Sequence, residues 1–250
     1  MNILHIIFSI EKGGAETYLF NIVENMKGDM NFFVLCDHKG GNHKKIQDIC
    51  KNVDIIDMKN PFDLKAAKKV ANYCKENDIH IIQTHFLREN YIAVLSKLFN
   101  PKIKIVWTAH LIADNKGKIK FFNKLFSGFV DKIICVSEAV KKSLIEEGIS
   151  EAKLQVIYNG VDTKHYKPIE NNFFKSKMSL NDSTLVLTTI SRFNKEKGHS
   201  FLIDGIRELE KYIENFKLIL VGEGEEQEAI KQKVKKYELE EYIICLLYTS

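Results

Sequence analysis

Arginine is scarce in this sequence. Only three of its 37 basic residues are arginines, namely Arg88, Arg192 and Arg207, and the net charge at pH 7 is +4. Proteins that bind nucleic acid rely on clustered basic stripes and on the fork-shaped arginine side chain. Neither feature is visible, so the sequence argues against a nucleic-acid partner.

Cysteine pairs and long hydrophobic runs are also missing. The five cysteines are odd in number, widely spaced and without a C-x-x-C motif: Cys36, Cys50, Cys74, Cys135 and Cys245. This usage predicts neither a zinc site nor a disulfide framework. No apolar run approaches the roughly 18 residues of a membrane span, and the apolar start has neither a basic region nor a cleavage site. We therefore expect a cytoplasmic protein with reduced thiols.

Short apolar, β-branched segments alternate with amphipathic segments along the chain. The predicted strands of the first part are Asn2–Ile10, Asn31–Asp37, Val53–Met58, Ile79–Phe86, Lys104–His110, Lys132–Ser137 and Leu154–Tyr158. The predicted helices are Ala15–Lys27, Leu64–Glu76, Asn90–Phe99, Lys118–Phe129 and Glu138–Glu147. Such alternation is typical of βαβ units, in which helices cover both faces of a parallel sheet. The predicted fold class is α/β.

The pattern breaks after residue 162 and resumes at about residue 183. Residues 163–182 are polar and aromatic without a clear period, and we interpret them as a linker. A second series of predicted elements follows: strand Thr184–Ile190, helix Gly198–Tyr212, strand Lys217–Val221, helix Glu225–Tyr237 and a strand from Tyr242. These are too few for an ordinary α/β domain. We therefore expect two Rossmann-like domains, a first at 1–162 and an incomplete second at 183–250.

A glycine pair follows the first predicted strand. Gly13 and Gly14 permit a tight turn and close approach of backbone N–H groups to a ligand, at the N-terminus of the next helix. A merely tight turn is the simpler alternative. Asp37 ends the second strand, where the ribose-binding acid of a dinucleotide site would stand, but no G-x-G-x-x-G motif occurs. The dinucleotide interpretation is therefore disfavoured.

Polar residues close several other predicted strands. His85 and His110 end neighbouring strands, Arg192 ends the first strand of the second domain, and Lys197 follows in the same turn. Ligands of open parallel sheets bind at the carboxyl ends of the strands. Two cations beside a helix N-terminus, which already carries partial positive charge, indicate that this turn binds an anion.

Six short motifs occur in the order seen in one enzyme family. They are G-G-A-E at 13–16, T-A-H at 108–110, V-S-E-A-V at 136–140, Y-N-G-V-D at 158–162, S-R-F-N-K-E-K-G at 191–198 and V-G-E-G at 221–224. Together they resemble the GT-B glycosyltransferases of family 4 over nearly the whole chain. The resemblance implies two Rossmann-like domains with a nucleotide-sugar donor in the cleft between them. The first domain would face the acceptor and the second would bind the donor.

The resemblance also implies roles for the residues at the strand ends. Arg192 and Lys197 would hold the diphosphate of the donor, a role that suits two cations beside a helix N-terminus because the leaving group gains charge. The N–H groups of Gly13 and Gly14 would approach the same phosphates or the acceptor. All four residues are thus expected to bind the donor.

The expected catalytic residue is His110, which matches the family histidine that contacts the donor sugar near the reacting carbon. His85 is assigned to the acceptor side. Members of the family usually retain the anomeric configuration without a nucleophile from the enzyme, because the donor phosphate itself can take the proton of the acceptor. The metal-binding D-x-D motif of the other large glycosyltransferase fold is absent. We expect neither a metal nor a cofactor.

The implied activity is transfer of a sugar from a nucleotide-sugar donor to a glycan or lipid-linked acceptor, in the synthesis of a cell-surface polysaccharide or glycolipid. Two other classes stay open. One is a nucleotide-sugar-binding protein without catalysis, and the other is a sugar-nucleotide dehydrogenase or epimerase, which nicotinamide binding would reveal.

The segment Asn115–Val130 bears on the partner. It combines four lysines with five large apolar residues: Phe121, Phe122, Leu125, Phe126 and Phe129. A basic amphipathic helix can lie on an anionic membrane, where lipid-linked acceptors are found, and this would place the protein peripherally at the inner face. The alternative is a helix that buries its phenylalanines on the sheet.

The end of the chain departs from the family pattern. The acidic E-x7-E motif of the family's second domain, whose carboxylates bind the sugar and ribose of the donor, has no counterpart in residues 183–250. The last six residues, C-L-L-Y-T-S, are those that TGTCTCTTATACACATCT encodes, the transposon end used to prepare sequencing libraries. We therefore expect Cys245–Ser250 to derive from an adapter, the second domain to be truncated, and the fragment by itself to be inactive.

Overall fold

The chain divides into two compact units, residues 1–162 and residues 163–250. The computed structural model describes residues 1–11, 13–168 and 173–246. The boundary between the units coincides with the predicted end of the first domain. Part of the predicted linker, residues 169–172, lies outside the described residues, as do residues 247–250 of the predicted adapter segment.

Unit 1 is a parallel sheet covered by helices. Seven strands are found among its described residues, and they pair in the order β3-β2-β1-β4-β5-β6-β7. The strands are β1 (Asn2–Ser9), β2 (Asn31–His38), β3 (Asn52–Ile55), β4 (Ile81–Thr84), β5 (Lys104–Ala109), β6 (Lys132–Cys135) and β7 (Leu154–Val156). The helices are α1 (Gly14–Met26), α2 (His43–Gln47), α3 (Leu64–Glu76), α4 (Leu87–Ser96), α5 (Gly117–Ser127) and α6 (Glu138–Glu146), with a 3-10 turn at Glu151–Lys153. The predicted α/β class is confirmed.

Helices cover both faces of this sheet. The side chains of β1 alternate between two core clusters, one on each face. In β1, Ile3 and Ile7 join the core cluster that includes Leu19 of α1. Leu4 and Ile6 join the cluster on the other face, with residues of α3 and α4. Because successive side chains of a strand point to opposite faces, a strand buried on both sides reads as a continuous apolar run.

The sequence predicts some helix ends better than others. The Asp63 carboxylate accepts a hydrogen bond from Ala66 N (3.0 Å) and caps α3, as expected for an N-cap aspartate. Helix α4 begins at Leu87, so the predicted start at Asn90 is wrong by three residues. Its extra turn carries Arg88, whose contacts with distant parts of the chain are described below. Helix α2 was not predicted.

Unit 2 is a smaller parallel sheet with helices. Its described strands are β8 (Leu185–Ile190), β9 (Phe216–Val221) and β10 (Ile243–Leu246), paired in the order β10-β9-β8. Its described helices are α7 (Phe173–Lys177), α8 (His199–Leu209) and α9 (Gln227–Lys236), with a 3-10 turn at Lys195–Lys197. Apolar residues of the strands, α8 and α9 form a separate core cluster. Helix α7 lies in the segment predicted as a linker.

Candidate functional site

The strand order of unit 1 reverses between β1 and β4. From β1 the chain adds β2 and β3 on one side, and from β4 it adds strands up to β7 on the other. Open α/β sheets bind ligands at such a switch point, outside the carboxyl ends of the strands. The Gly13–Gly14 turn follows β1, His85 follows β4 and His110 follows β5. The sequence-predicted residues of unit 1 thus follow three adjacent strands.

Three histidines form a hydrogen-bonded row at this end of the sheet. Nδ1 of His5 lies 3.1 Å from Nε2 of His85, and Nδ1 of His85 lies 3.1 Å from Nε2 of His110. The ring planes lie within 20° and 21° of each other, and the centroids are 5.4 Å apart in both pairs, so the rings meet edge to edge. His5 is fully buried, His85 is 2% exposed, and His110 is partly exposed. The row therefore runs from the core to the surface.

Burial keeps the row neutral. Loss of solvation lowers the pKa of His5 to about 3 and that of His110 to about 4. The pKa of His85 is well below its ordinary value because the ring is buried and because protonated His5 or His110 would repel its charge. A neutral imidazole has one N–H donor and one acceptor nitrogen. Each contact in the row consequently joins a donor to an acceptor.

The ring of Tyr18 in α1 packs against the row of histidines. It meets the His110 ring edge-on with centroids 5.2 Å apart, and it meets His85 at 6.0 Å. Burial raises the pKa of the Tyr18 hydroxyl, so this group stays protonated. Beside the row, Gln83 Nε2 donates to Thr108 Oγ1 at 2.8 Å. Sequence reasoning missed Tyr18, which reads as one more residue of an amphipathic helix.

The burial of His85 bears on its predicted role. Both ring nitrogens already contact other histidines, and direct contact with an acceptor would require one of these bonds to break. Its assignment to the acceptor stays a prediction, and this geometry argues against direct contact.

Gly13 lies close to the Glu16 carboxylate, the end of a flexible side chain that can move aside. Gly13 is the N-cap of α1, in extended conformation and without a side-chain cap. A Cβ atom at position 13 would overlap the carboxylate of Glu16, whereas one at Gly14 would meet nothing within 4 Å. The Glu16 carboxylate therefore lies at the very helix end proposed for an anion. Donor binding by the two glycines stays a prediction.

Asp37 is held by the chain itself. Its Oδ1 accepts from Met58 N at 2.9 Å, and its Oδ2 accepts from Arg88 Nη1 at 3.3 Å. Arg88 also donates to the carboxylate of Glu89 at 2.8 Å and to the Met58 carbonyl oxygen at 2.6 Å. The Glu89 side chain is 1% exposed. This network joins β2, α4 and the segment before α3, and it leaves Asp37 a structural role rather than a ribose-binding one.

The turn of unit 2 carries three exposed cations, Lys195 and the two predicted to bind the donor, Arg192 and Lys197. Arg192 follows β8, and both it and Lys197 are exposed. In the described part of the chain neither side chain forms a hydrogen bond or an ion pair, although Glu196 lies in the same turn. The other two arginines are engaged, since Arg88 pairs with two carboxylates and Arg207 packs over the Tyr237 ring. Arg192 is thus the arginine left free for a ligand within the described residues.

The backbone of this turn is held in place by the V-G-E-G motif. Ser191 N donates to the Val221 carbonyl oxygen at 3.1 Å, and Phe193 N donates to that of Glu223 at 2.8 Å. Cβ atoms at Gly222 and Gly224 would overlap the carbonyl oxygens of Ser191 and Phe193. The two glycines therefore let the β9–α9 loop pack directly on the segment that carries Arg192.

The N-terminus of α8 opens beside the same turn. Its N-cap, Gly198, adopts a left-handed conformation with φ of 68° and provides no side-chain cap, as glycine alone does readily. The first N–H groups of a helix lack partners within the helix and attract anions. The exposed cations and an uncapped helix end are together suited to a phosphate group.

Helix α5 has both a buried and an exposed apolar face. Asn123, Phe126 and Ser127 are buried, and Phe122 packs against the core. A second apolar set remains in solvent, including Phe121 (63% exposed) and Phe129 (55% exposed). We call Ile119, Phe121, Leu125 and Phe129 the α5 surface. The predicted alternative, a helix that buries its phenylalanines on the sheet, is borne out for Phe122 and Phe126 but not for Phe121 and Phe129.

The two parallel α/β units agree with the predicted GT-B fold. The chain belongs to glycosyltransferase family 4: residues 12–165 match the family described as Glycosyltransferase Family 4, and residues 170–250 match Glycosyl transferases group 1. The resemblance drawn from the six motifs is confirmed.

Two characterised relatives illustrate the family. The N-acetyl-alpha-D-glucosaminyl L-malate synthase of Bacillus anthracis is 28% identical over 193 residues, covering 74% of this chain and 50% of that protein. The N-acetylgalactosamine-N,N'-diacetylbacillosaminyl-diphospho-undecaprenol 4-alpha-N-acetylgalactosaminyltransferase of Campylobacter jejuni is 24% identical, covering 96% of this chain and 67% of that protein. The chain thus spans half to two thirds of the length of these relatives.

Solved structures share the fold at low identity. The Anabaena protein HepE, in complex with UDP and glucose, matches all of this chain and 70% of its own with a TM-score of 0.83 at 20% identity. The UDP-GlcNAc 2-epimerase of Neisseria meningitidis, bound to UDP-GlcNAc, matches 99% of this chain and 72% of its own with a TM-score of 0.59 at 13% identity. The fold alone therefore does not separate transferases from epimerases.

Among the described residues, no helix has the length and apolar character to cross a membrane.

Proposed function

We propose that this protein transfers a sugar from a nucleotide-sugar donor to a glycan or lipid-linked acceptor, with retention of configuration and without a metal. Family membership supports the transferase class over an epimerase. The single observation that carries the donor assignment is the exposed, unpaired Arg192, held beside the uncapped N-terminus of α8. The relative named above for a diphospho-undecaprenol substrate supports a lipid-linked acceptor.

The two units supply different parts of this chemistry. In unit 2, Arg192 and Lys197 bind the diphosphate and stabilise the charge that it gains as the bond to the sugar breaks, because charge-assisted contacts strengthen when charge develops. In unit 1, His110 contacts the donor sugar. The acceptor oxygen forms the new bond to the anomeric carbon, and its proton passes to an oxygen of the leaving phosphate. No side chain of the chain needs to act as a nucleophile.

The donor-binding roles of Gly13 and Gly14 and the acceptor role of His85 belong to the same proposal. Gly13 and Gly14 would bring backbone N–H groups to the phosphates or the acceptor. His85 would act on the acceptor side, a role that its burial makes indirect.

Membrane contact is a further part of the proposal. The α5 surface is apolar, and four lysines surround it in the sequence: Lys116, Lys118, Lys120 and Lys124. Apolar side chains flanked by lysines match an anionic lipid surface in both polarity and charge. We assign this surface to the cytoplasmic face of an anionic bilayer, where lipid-linked acceptors reside.

A donor screen tests the transferase assignment. The assay uses a protein that contains this sequence and has the length of its relatives. It is incubated with UDP-, GDP- and ADP-sugars and a polyprenyl-phosphate acceptor. Mass spectrometry identifies the products, and the anomeric proton coupling in NMR spectra gives their configuration. We expect one nucleotide-sugar to give a glycosylated acceptor with retained configuration. His110→Ala should lower turnover far more than donor affinity, as expected for a contact made mainly in the transition state. Epimerised donor without transfer would contradict the proposal.

A further inference from the structure

The row of histidines can carry its protons in two neutral arrangements. In the first, every ring is protonated on Nδ1, so His5 donates to His85 and His85 donates to His110. In the second, every ring is protonated on Nε2, so the bonds run from His110 toward His5. The two arrangements leave opposite groups at the surface end: His110 presents an Nδ1–H donor in the first and a bare Nδ1 acceptor in the second.

The buried end of the row separates the two arrangements. Nε2 of His5 is buried and has no hydrogen-bond partner among the described residues, and the ring packs 5.7 Å from that of Phe32. The second arrangement would place an N–H there with no acceptor. Orphaned N–H groups are rarer in protein interiors than orphaned acceptors, so the first arrangement is favoured.

The same burial prevents the row from switching. Conversion by proton transfer along the row requires a proton to enter at His5 Nε2 and another to leave at His110 Nδ1. Within the described structure, no polar group reaches His5 Nε2. His110 Nδ1, at the other end, belongs to a partly exposed ring and is open to a ligand. A proton therefore has no route into the buried end.

We propose that His5 and His85 are positioning residues that fix His110 as a hydrogen-bond donor through Nδ1. The proposal rests on the proposed function for the identity of the receiving atom, an oxygen of the donor sugar or its phosphate. It adds that His110 cannot act as a general base through Nδ1, because that nitrogen already carries a proton. It also gives His85 an indirect role in place of acceptor contact.

The nitrogen chemical shifts of the three histidines test this in the ligand-free chain. Two-bond correlations between ring nitrogens and carbon-bound protons identify the protonated nitrogen of each ring at pH 7. We expect Nδ1–H for His5, His85 and His110. Neutral histidine in water favours Nε2–H, so this result differs from the default. Nε2–H on His110, or averaging between the two forms, would overturn the proposal whether or not the protein is a transferase.

Variants at His5 separate positioning from packing. His5→Asn keeps an N–H near the position of Nδ1 and should preserve the His110 Nδ1–H signal. His5→Leu removes that donor and should shift His110 toward Nε2–H. His38→Asn, a change at an exposed histidine outside the row, should leave the spectrum unchanged. If His5→Leu does not fold, the spectra of the unchanged chain and of His5→Asn still decide.

Binding adds a functional measurement. With UDP and UDP-glucose as probes, His5→Leu should lower the preference for the sugar-bearing probe by roughly 3- to 10-fold, the range expected for one hydrogen bond, while His5→Asn keeps it. An equal preference in both variants would contradict the positioning role. If neither probe binds the unchanged chain, UDP-glucose is not its donor. The tautomer of His110 is then decided by the nitrogen chemical shifts alone.

Discussion

Gly222 packs against the carbonyl oxygen of Ser191 so closely that a side chain at position 222 would overlap that oxygen. Gly222 also has a φ of 152°, which L-residues rarely adopt. The contact ties the end of β9 to the residue just before Arg192, in the turn proposed to hold the diphosphate. The geometry of the proposed anion site therefore depends on a glycine in the neighbouring loop.

Gly222→Ala should destabilise unit 2 and weaken diphosphate binding. Backbone strain at such a φ costs on the order of 1–3 kcal/mol, and displacement of the Ser191 segment moves Arg192. The matched control is Gly205→Ala in α8, where an added Cβ meets nothing and should stabilise the helix by about 0.5–1 kcal/mol. Urea unfolding and calorimetric titration with UDP measure both effects. Equal stability of the two variants would contradict this account of the loop.

Arg88→Met should destabilise unit 1 by about 3–5 kcal/mol, because it leaves the buried carboxylate of Glu89 without its cation. The added change Glu89→Gln removes that charge and should recover much of the loss, although the hydrogen bond to Met58 O remains absent. The free energy of unfolding of both variants, from urea titration, gives the comparison. A double variant that is no more stable than Arg88→Met would show that the ion pair is not the source of the loss.

Unit 1 should lose stability as pH falls from 7 to 5. The folded-state pKa values of His5 and His110, about 3 and about 4, lie below the ordinary value of 6.5. The unfolded chain therefore binds protons first, and stability that is fully present above pH 6.5 is lost as pH falls below it. Each histidine contributes at most about 1.4 kcal/mol per pH unit. His5→Asn should flatten the dependence in urea unfolding at pH 7, 6 and 5; an unchanged slope would exclude His5 as a source.

The α5 surface should bind anionic vesicles. The chain is expected to co-sediment with phosphatidylglycerol vesicles and not with phosphatidylcholine vesicles. The double change Phe121→Ser and Phe129→Ser should weaken this binding tenfold or more, since each buried phenylalanine contributes about 1.5–3 kcal/mol. Phe201→Ser, at a residue of unit 2 that is 84% exposed, is the control. Equal losses in both variants, or no binding by the unchanged chain, would count against a lipid surface as the partner.

The sequence predicted the strands and most helices because each buried parallel strand is a continuous apolar run and each covering helix is amphipathic. It could also place His85 and His110 at neighbouring strand ends, since register follows from alternation. It could not show that His5 continues their row. A single histidine inside the apolar run of β1 carries no local signal, and its partner is 80 residues away.

The same limit applies to Arg88 and to the V-G-E-G motif. The ion pair between Arg88 and Asp37 joins residues 51 positions apart. No local sequence pattern could therefore predict it. The motif was recognised only as a resemblance, and the structure supplies its physical reason in the contacts of Gly222 and Gly224 with the turn after β8. Long-range contacts of this kind decide how a site is held, whereas local patterns decide which elements carry it.

The most direct test of the central claim is calorimetric titration of UDP, GDP and ADP into this chain and into Arg192→Ala and Arg207→Ala. The Arg192 side chain forms no hydrogen bond or ion pair among the described residues, so Arg192→Ala should unfold like the parent chain. Arg207→Ala should differ only by the loss of Arg207 packing on Tyr237. We expect one nucleoside diphosphate to bind, Arg192→Ala to weaken it by about 1.5–3 kcal/mol, or roughly 10- to 150-fold, and Arg207→Ala to leave it unchanged. Equal affinity of Arg192→Ala and the parent chain would contradict the assignment of the turn after β8 as the diphosphate site.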